Sequence, residues 1–436
     1  MHAKFLITFY LLLVCSFSVA QTSNVSNTTF SFELAGHTLK IPIYSSINLG
    51  QLDPTIRKAV IVIHGTNRNA DDYFNNIQVA ADKASDLSAH TLIVAPQFLT
   101  EADIEYHNLD DEHLYWTNGG WKAGSNSRDE DANPRPIRIP SYAVLDSLIM
   151  HITRQFSNLE LITLAGHSAG GQVVQRMAAT SPIGETLCEA FGVQIRFVVA
   201  NPSSYVYLDR QRRRPGTVDE FSIPSSNCAD FNEWKYGLED LYTYPGLSGV
   251  DSIRARFKRR QVTYLLGQRD NDPGSSSLDL SCAANLQGSH RLERGIIYYN
   301  YLQHYYGSSV SENHSISQVP DVGHSNFDMF NSSQGLSVLF GPSTPSCSGL
   351  VFSNNTVEDF YIQVFPNPAD ELIFLEVNGS TEPRMEALIF DLQGRQVWSG
   401  LVTGEQPIDV SQLPAGLYFL YLEVGSFRAE KKLVVK

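Results

Sequence analysis

The chain has few positive charges for its length. Its 436 residues include 32 lysines and arginines against 46 aspartates and glutamates, which gives a formal net charge of −14. An anionic surface repels phosphate backbones, so the composition argues against a nucleic-acid partner. We interpret the main basic run, residues 254–260, as a solvated helix end that precedes a strand.

The sequence also lacks an apolar run long enough to cross a membrane, which takes about 20 residues. Its N-terminus has the pattern of an export signal instead. Lys4 is followed by an apolar stretch over residues 5–14 and by the small-residue cleavage pattern Ser18-Val19-Ala20. We therefore predict a signal peptide over residues 1–20, an exported mature protein and no stable membrane span.

Cysteine is scarce, and its spacing shows no metal-binding pattern. Cleavage after Ala20 would leave four cysteines, Cys188, Cys228, Cys282 and Cys347. No Cys-x-x-Cys or Cys/His spacing of a zinc site is present, so we expect no metal. In an oxidising compartment four cysteines form stabilising disulfides in any of three pairings, and the sequence does not choose among them.

From Lys58 onward, short apolar runs alternate with longer helix-compatible stretches. Each run is continuously apolar rather than alternating, which is typical of strands buried on both faces of a parallel sheet. The runs are residues 59–63, 91–95, 161–165, 195–200 and 262–266. This pattern predicts an α/β fold with a mostly parallel sheet and helices on both faces.

The remaining segments of the chain suggest its domain limits. Residues 101–140 and 202–249 are irregular, and we expect a long loop in the first and a cap or rim in the second. A turn-rich linker is predicted at residues 341–360. Beyond it, strands at 371–377, 386–390 and 417–424 indicate a small all-β sandwich. We predict one domain over residues 21–340 and a second over 361–436.

The run Gly166-His167-Ser168-Ala169-Gly170 carries the candidate nucleophile. It follows an apolar strand and precedes a stretch with an apolar stripe at helical spacing. A serine hydroxyl becomes a good nucleophile when a base takes its proton and a turn exposes it. Flanking glycines tolerate the strained backbone of such a turn. The layout is that of a nucleophile elbow, so we predict Ser168 as the nucleophile.

Two later turns supply candidate partners for this serine. The strand at 262–266 leads into Asp270, the predicted acid, with Asp272 as the alternate because strand ends are located only to within about two residues. Gly323-His324, near the end of the first domain, supplies the predicted general base. The chain order Ser168, Asp270, His324 is the order of α/β-hydrolase triads.

The strand at 59–63 runs directly into His64-Gly65-Thr66-Asn67, which is where an oxyanion hole is expected. Acyl transfer places negative charge on a carbonyl oxygen, and preorganised backbone amides stabilise it. We predict the amides of Thr66 and Ala169 as these donors, with Asn67 as a weaker candidate.

Residues of the irregular segments are weaker candidates for contact with a substrate. Trp116, Trp121 and Trp234 would offer a flat platform to a sugar or an aromatic group. Packing of the same loops against the domain is the alternative. His64 is a further candidate for substrate contact because it lies beside the oxyanion loop.

Residues 55–335 resemble secreted α/β-hydrolase esterases, including polyester depolymerases and carbohydrate esterases. The resemblance rests on His64-Gly65, Gly166-x-Ser168-x-Gly170, Gly267-x-x-Asp270 and Gly323-His324. It implies hydrolysis of polysaccharide-linked or polymeric carboxylic esters through a Ser-His-Asp triad and an acyl-enzyme, without a cofactor. A serine peptidase or amidase of the same fold is one alternative, and a non-catalytic surface-binding protein is another.

Residues 361–436 resemble the sorting domain of cargo of the type IX secretion system of Bacteroidetes. The matching segments are residues 364–369, 391–397 and 413–418. This resemblance implies passage through the periplasm, binding to the type IX secretion machinery, and release or attachment at the outer cell surface. A carbohydrate-binding β-sandwich module is the alternative.

Overall fold

The computed structural model describes residues 23–34, 36–225, 227–342, 361–378, 385–391, 396–403, 407–424 and 427–436. The predicted signal peptide and most of the predicted linker lie outside these residues. Within them, no helix combines the length and apolar character that a membrane crossing requires.

An eight-stranded sheet runs through the first part of the chain. Its strands are β1 (Thr29–Leu34), β2 (His37–Ser45), β3 (Lys58–Ile63), β4 (Thr91–Pro96), β5 (Leu161–His167), β6 (Gln194–Ala200), β7 (Gln261–Gly267) and β8 (His314–Val319). Their spatial order is β1-β2-β4-β3-β5-β6-β7-β8. The β1–β2 and β2–β4 pairs are antiparallel and the others are parallel. The predicted mostly parallel sheet is confirmed, and the strand order is that of the α/β-hydrolase fold.

Helices connect the parallel strands. They are α1 (Ala70–Ala84), α2 (Glu101–His107), α3 (Ser141–Gln155), α4 (Ala169–Thr180), α5 (Ile183–Phe191), α6 (Thr243–Gly246), α7 (Val250–Arg259), α8 (Cys282–Asn285), α9 (Arg291–Tyr306), α10 (Asn326–Asn331) and α11 (Ser333–Phe340). Short 3₁₀ turns occur at Ser85–Ser88, Trp121–Ala123 and Ser308–Glu312.

Alternate residues of β3 enter two different cores. Ile61 and Ile63 pack on one face of the sheet with side chains of α3, α4, α7 and α9. Val60 and Val62 pack on the other face with α1, α10 and α11. Because both faces are covered, each residue of the strand gains from being apolar. This explains the continuous apolar runs of the sequence.

The stretch 101–140, predicted as a long loop, begins with helix α2. The prediction was wrong there because Thr100 and Asp103 cap the helix. The amide and the hydroxyl of Thr100 each donate to Oδ2 of Asp103 at 2.8 Å, and the Asp103 amide donates to the Thr100 carbonyl at 3.0 Å. Arg68 donates to the same carboxylate at 2.8 Å, so a distant residue also holds the helix start.

The basic run at 254–260 forms the last turns of α7 and directly precedes β7, as predicted. The last residue of this run, Arg260, is not solvated as expected. Arg260 is buried and donates to the carbonyls of Ala178 at 3.3 Å and Ser181 at 2.6 Å, and to the Glu185 carboxylate. Carbonyl and carboxylate acceptors therefore satisfy a guanidinium that composition assigns to the surface.

The described part of residues 361–436 forms two antiparallel sheets. Their strands are β9 (Tyr361–Phe365), β10 (Leu372–Asn378), β11 (Met385–Asp391), β12 (Gln396–Val402), β13 (Ile408–Asp409), β14 (Gly416–Val424) and β15 (Phe427–Val435). The orders are β9-β10-β13 and β12-β11-β14-β15. Side chains of both sheets, among them Ile373, Ile389 and Leu420, share one apolar core. The predicted all-β sandwich is confirmed.

Cys228 and Cys282 are joined by a disulfide, which is one of the pairs that the sequence leaves open. The bond connects the irregular stretch 202–249 to the start of α8. Cys347 lies outside the described residues. A covalent link thus fixes part of the predicted cap or rim to the α/β body.

Helix α4 approaches the sheet closely because its first turn contains two glycines. A Cβ added at Gly170 would lie 2.1 Å from the carbonyl oxygen of Ile63 and 2.8 Å from that of His64. A Cβ at Gly171 would lie 2.6 Å from the carbonyl oxygen of Ala200. These neighbours are backbone atoms of the sheet, so only glycine permits this approach.

We expect Gly170→Ala to destabilise the protein. A Gly→Ala change inside a helix ordinarily gains about 1 kcal/mol, but separating α4 from β3 costs about 1–3 kcal/mol. Gly119→Ala is the matched control, because a Cβ there would meet no atom within 4 Å. Thermal unfolding should show a lower Tm for Gly170→Ala than for wild type and the control. Equal Tm values would contradict the close approach.

Candidate active site

Ser168 occupies the turn between β5 and α4. Its backbone has φ 59° and ψ −117°, a conformation that costs free energy for a residue with a side chain. The Ser168 amide donates to the Ala200 carbonyl at 2.9 Å, and the Gln172 amide donates to the Ser168 carbonyl at 3.1 Å. A Cβ at Gly166 would lie 2.4 Å from the Gly170 carbonyl group, so the turn closes tightly on itself.

Ser168, His324 and Asp270 form a continuous chain of contacts. Nε2 of His324 lies 2.9 Å from Oγ of Ser168, and Nδ1 lies 2.7 Å from Oδ2 of Asp270. A carboxylate only accepts hydrogen bonds, so Nδ1 donates to Asp270 and Nε2 is left to accept from the serine hydroxyl. The His324 side chain is 24% exposed and Asp270 only 4%. The imidazole therefore lies between a buried acid and a solvent-accessible face.

Asp270 is held by the turn after β7 and by a buried arginine. Its amide donates to the Gly267 carbonyl at 3.1 Å, and Nη1 of Arg291 lies 3.5 Å from Oδ1. Asp272, the alternate acid, is exposed, and its carboxylate accepts from the Gly274 amide at 2.8 Å. The structure thus brings Asp270 to His324 and places Asp272 in a local surface turn.

Thr66 and Ala169, the predicted oxyanion donors, lie at the end of the sheet that carries Ser168. The packing of Gly170 against the carbonyls after β3 brings the two segments together. Over the described ranges of the chain, neither amide donates a hydrogen bond to another protein group. Both N–H groups are therefore available to a ligand oxygen. Asn67, the weaker candidate, is exposed beside them.

His64 is an interior residue. It is fully buried, Nε2 accepts from the Phe98 amide at 3.0 Å, and Nδ1 donates to the Gly65 carbonyl at 2.8 Å. Its ring packs on Trp121 with centroids 4.7 Å apart. The expectation that His64 contacts a substrate is wrong, because both nitrogens are engaged inside the protein.

The tryptophans of the irregular segments are also buried. Trp116 and Trp121 are 1% and 0% exposed, and Trp234 is 7% exposed. The indole N–H of Trp116 donates to the Ser125 carbonyl at 3.1 Å, and that of Trp234 to the Ala123 carbonyl at 2.7 Å. The expectation of an exposed platform is wrong. The indoles of Trp116 and Trp234 fix loops by combining apolar packing with a hydrogen bond to a carbonyl, whereas Trp121, within the part of the chain that the structure describes, contributes packing alone.

No sequence pattern singles out His167, yet it packs against the imidazole of His324. Their ring centroids are 4.5 Å apart, and the Tyr73 hydroxyl lies 3.2 Å from Nδ1 of His167. Burial, and to a lesser extent electrostatic repulsion from the His324 and Arg291 side chains, holds the pKa of His167 well below its ordinary value. A neutral ring therefore supports the face of His324. The middle position of Gly-x-Ser gives no signal of such a contact.

A cavity of about 490 Å³ opens beside the Thr66 loop. Its lining includes Thr66, Asn67, Arg68, Asn118 and Arg128. Thr66 thus belongs to both the cavity lining and the candidate oxyanion loop.

The strand order and the strand–turn–helix that bears Ser168 define an α/β-hydrolase fold. Within that class, this chain carries an export module. Residues 363–436 match the family model of the secretion system C-terminal sorting domain. The predicted sorting domain is confirmed, and the chain is a secreted or outer-surface protein.

Solved structures resemble the α/β part of the chain. Poly(aspartic acid) hydrolase-1 from Sphingomonas sp. KT-1 is 23% identical, with 72% of this chain and 98% of that chain covered and a TM-score of 0.47. LpqC, a poly(3-hydroxybutyrate) depolymerase from Bordetella parapertussis, is 24% identical, with 75% and 94% covered and a TM-score of 0.47. No curated protein matches the sequence. The likeness concerns the fold, and no substrate follows from it.

We expect the protein to lose stability as the pH falls from about 6.5, the pKa of an unfolded histidine, towards 4. Burial lowers the pKa of His64 to about 4, so the unfolded state takes up the proton first. At pH 5 this histidine alone should cost about 2 kcal/mol of unfolding free energy. In His64→Asn, the free energy of unfolding measured with urea should fall less steeply as the pH decreases over this range. His90→Asn, at an exposed site, should keep the wild-type dependence of unfolding free energy on pH. The same dependence in the wild type and both variants would contradict the assignment.

Proposed function

We propose that the chain is an exported serine hydrolase that cleaves carboxylic esters through Ser168, His324 and Asp270. The observation that carries the proposal is the pair of contacts made by His324. Its Nε2 is 2.9 Å from the serine oxygen and its Nδ1 is 2.7 Å from the buried carboxylate. A nucleophile, a base and an orienting acid in this arrangement support acyl transfer.

The proposed reaction begins when His324 accepts the proton of Ser168 as its oxygen attacks the ester carbonyl. The amides of Thr66 and Ala169 stabilise the resulting oxyanion. Collapse of the tetrahedral intermediate expels the alcohol, which takes its proton from His324 and leaves an acyl-enzyme. Water then attacks the acyl group by the reverse sequence, while Asp270 stabilises the imidazolium at each stage.

We further propose that residues 21–340 are the catalytic domain, 341–360 a linker and 361–436 the sorting domain. The sorting domain would engage the type IX secretion machinery, which is the proposed protein partner. Export supports a substrate found outside the cell, such as a polysaccharide-linked or polymeric ester. The cavity beside Thr66 offers space for a substrate that extends beyond the scissile bond.

Substitutions in the proposed triad should abolish ester hydrolysis without unfolding the protein. Ser168→Ala should lower kcat on p-nitrophenyl butyrate by about 10⁶-fold and Asp270→Asn by about 10⁴-fold. Asp272→Asn is the matched control for the acid, because its carboxylate is exposed, and kcat should stay within about twofold, as for most surface changes. Full activity of Ser168→Ala would overturn the nucleophile, and a loss confined to Asp272→Asn would overturn the acid.

The leaving group distinguishes an esterase from a peptidase or amidase with the same triad. We expect turnover of short-chain p-nitrophenyl esters and none of the matched p-nitroanilides or peptides. An amine leaves only after its nitrogen is protonated, and this requires the nitrogen to lie close to the protonated base. Turnover of anilides or peptides without esters would identify an amidase. A folded wild-type protein inert towards both, and unlabelled at Ser168 by a fluorophosphonate, would identify a binding protein.

A further inference from the structure

A group of cationic side chains lies beside Thr66. Nζ of Lys122 donates to Oγ1 of Thr66 at 2.7 Å, and the 3₁₀ turn that contains Lys122 packs against α4. Arg176 of α4 donates to the Lys122 carbonyl at 2.8 Å and to the Ser204 hydroxyl at 3.1 Å. Lys122 therefore stands between the candidate oxyanion loop and a buried guanidinium.

Lys235 belongs to the same group. The preceding residue, Trp234, donates to the carbonyl of Ala123, which seats this loop on the 3₁₀ turn. Burial, with the positive charges of Lys235, Arg176 and Arg68, lowers the pKa of Lys122 to about 8. Burial and the charge of Arg176 likewise lower the pKa of Lys235. By geometry, the loop that carries Lys235 packs directly on the turn that carries Lys122.

The group has too few negative charges to balance it. The nearby carboxylate of Asp279 accepts from the Tyr236 hydroxyl at 2.9 Å and from the Ser281 amide at 3.1 Å. In the part of the chain that the structure describes, Lys122, Lys235 and Arg176 have no ion-pair partner within 4.0 Å. A half-buried cation without a counter-charge costs free energy unless it binds an anion. This positive site also stands in a chain with a net charge of −14.

We propose that Lys122 and Lys235, backed by Arg176, bind an anionic group of the substrate. The esters hydrolysed at Ser168 then carry a free carboxylate near the scissile bond, on the acyl or the alcohol side. This inference rests on the proposed esterase function, because the contact with Thr66 places the Lys122 ammonium beside the reacting carbonyl only if Ser168 is the nucleophile.

Matched pairs of esters test the inference. For the acyl side, phenyl hydrogen glutarate is compared with its amide isostere, phenyl glutaramate. For the alcohol side, 4-carboxyphenyl butyrate is compared with 4-carbamoylphenyl butyrate. In at least one pair, the wild type should have a kcat/KM about tenfold higher for the acid than for the amide. The free energy of one hydrogen bond to a charged group corresponds to about that factor.

The acid-to-amide ratio should respond to conditions that weaken the cations. The ratio should shrink in about 1 M salt, where the Debye length is about 3 Å and the attraction between an ammonium and a carboxylate is screened. It should also shrink as the pH rises through about 8 and Lys122 loses its proton. The charged groups that face Lys122 are Arg68, Arg176, Lys235 and Asp279. A ratio indifferent to both salt and pH would contradict recognition by these ammonium groups.

Substitutions assign the ratio to particular lysines. Lys122→Gln and Lys235→Gln should each lower the acid-to-amide ratio about tenfold, and Lys235→Arg should retain it. Lys258→Gln, at an exposed lysine of α7, is the matched control and should keep the wild-type ratio. Because a ratio compares two esters on the same enzyme, partial unfolding of a variant cancels.

A wild-type ratio near one in both pairs, or Gln variants with an unchanged ratio, would overturn the inference while leaving an esterase in place. If the wild type hydrolyses none of the four esters and also spares p-nitrophenyl butyrate, the proposed function itself fails. The two failures are therefore distinguishable.

Discussion

The site depends on the close contact between helix α4 and the carboxyl end of β3. Gly170 lets the helix backbone touch the carbonyls of Ile63 and His64, so the first turn of α4 lies beside the segment that leads into Thr66. Ser168, the residue just before α4, has a positive φ of 59°, which costs about 1–3 kcal/mol. A side chain at Gly170 would push the helix away from β3 and so move Ser168 and the Ala169 amide away from the Thr66 loop. One backbone contact therefore positions both the candidate nucleophile and the segments that carry the candidate oxyanion donors.

Buried arginines hold the irregular segments around this elbow. Arg294 donates to the Gly288 carbonyl at 2.9 Å, and Arg212 to the Phe231 carbonyl at 2.9 Å. Arg291 reaches Asp270 and two serine hydroxyls. A guanidinium has five donors in a fixed plane, so it can satisfy carbonyls that no neighbouring strand pairs. In a low-dielectric interior these bonds are costly to lose. The acid of the proposed triad is thus positioned by polar contacts rather than by apolar packing.

The central strands were predictable because burial on both faces makes them continuously apolar. Strand β8, His314–Val319, was not predicted, because it lies at the sheet edge, is mostly polar, and buries only its two end residues. Ser168, Asp270 and His324 could be singled out because each follows a strand at a turn with glycine nearby. The contact of His167 with His324 had no local signal, since tertiary packing alone creates it. The burial of the loop tryptophans is unpredictable for the same reason.

Half-burial gives Lys122 two opposed properties. Loss of water around the ammonium disfavours its charged form and lowers its pKa to about 8. The same loss reduces the screening between that charge and a bound anion, which strengthens their attraction. At physiological salt, charges are screened beyond a Debye length of about 8 Å. The net charge of the chain is also −14, so it does not attract an anion from a distance. The site would therefore recognise an acidic ester by slowing its dissociation after contact, and not by raising its association rate through long-range attraction.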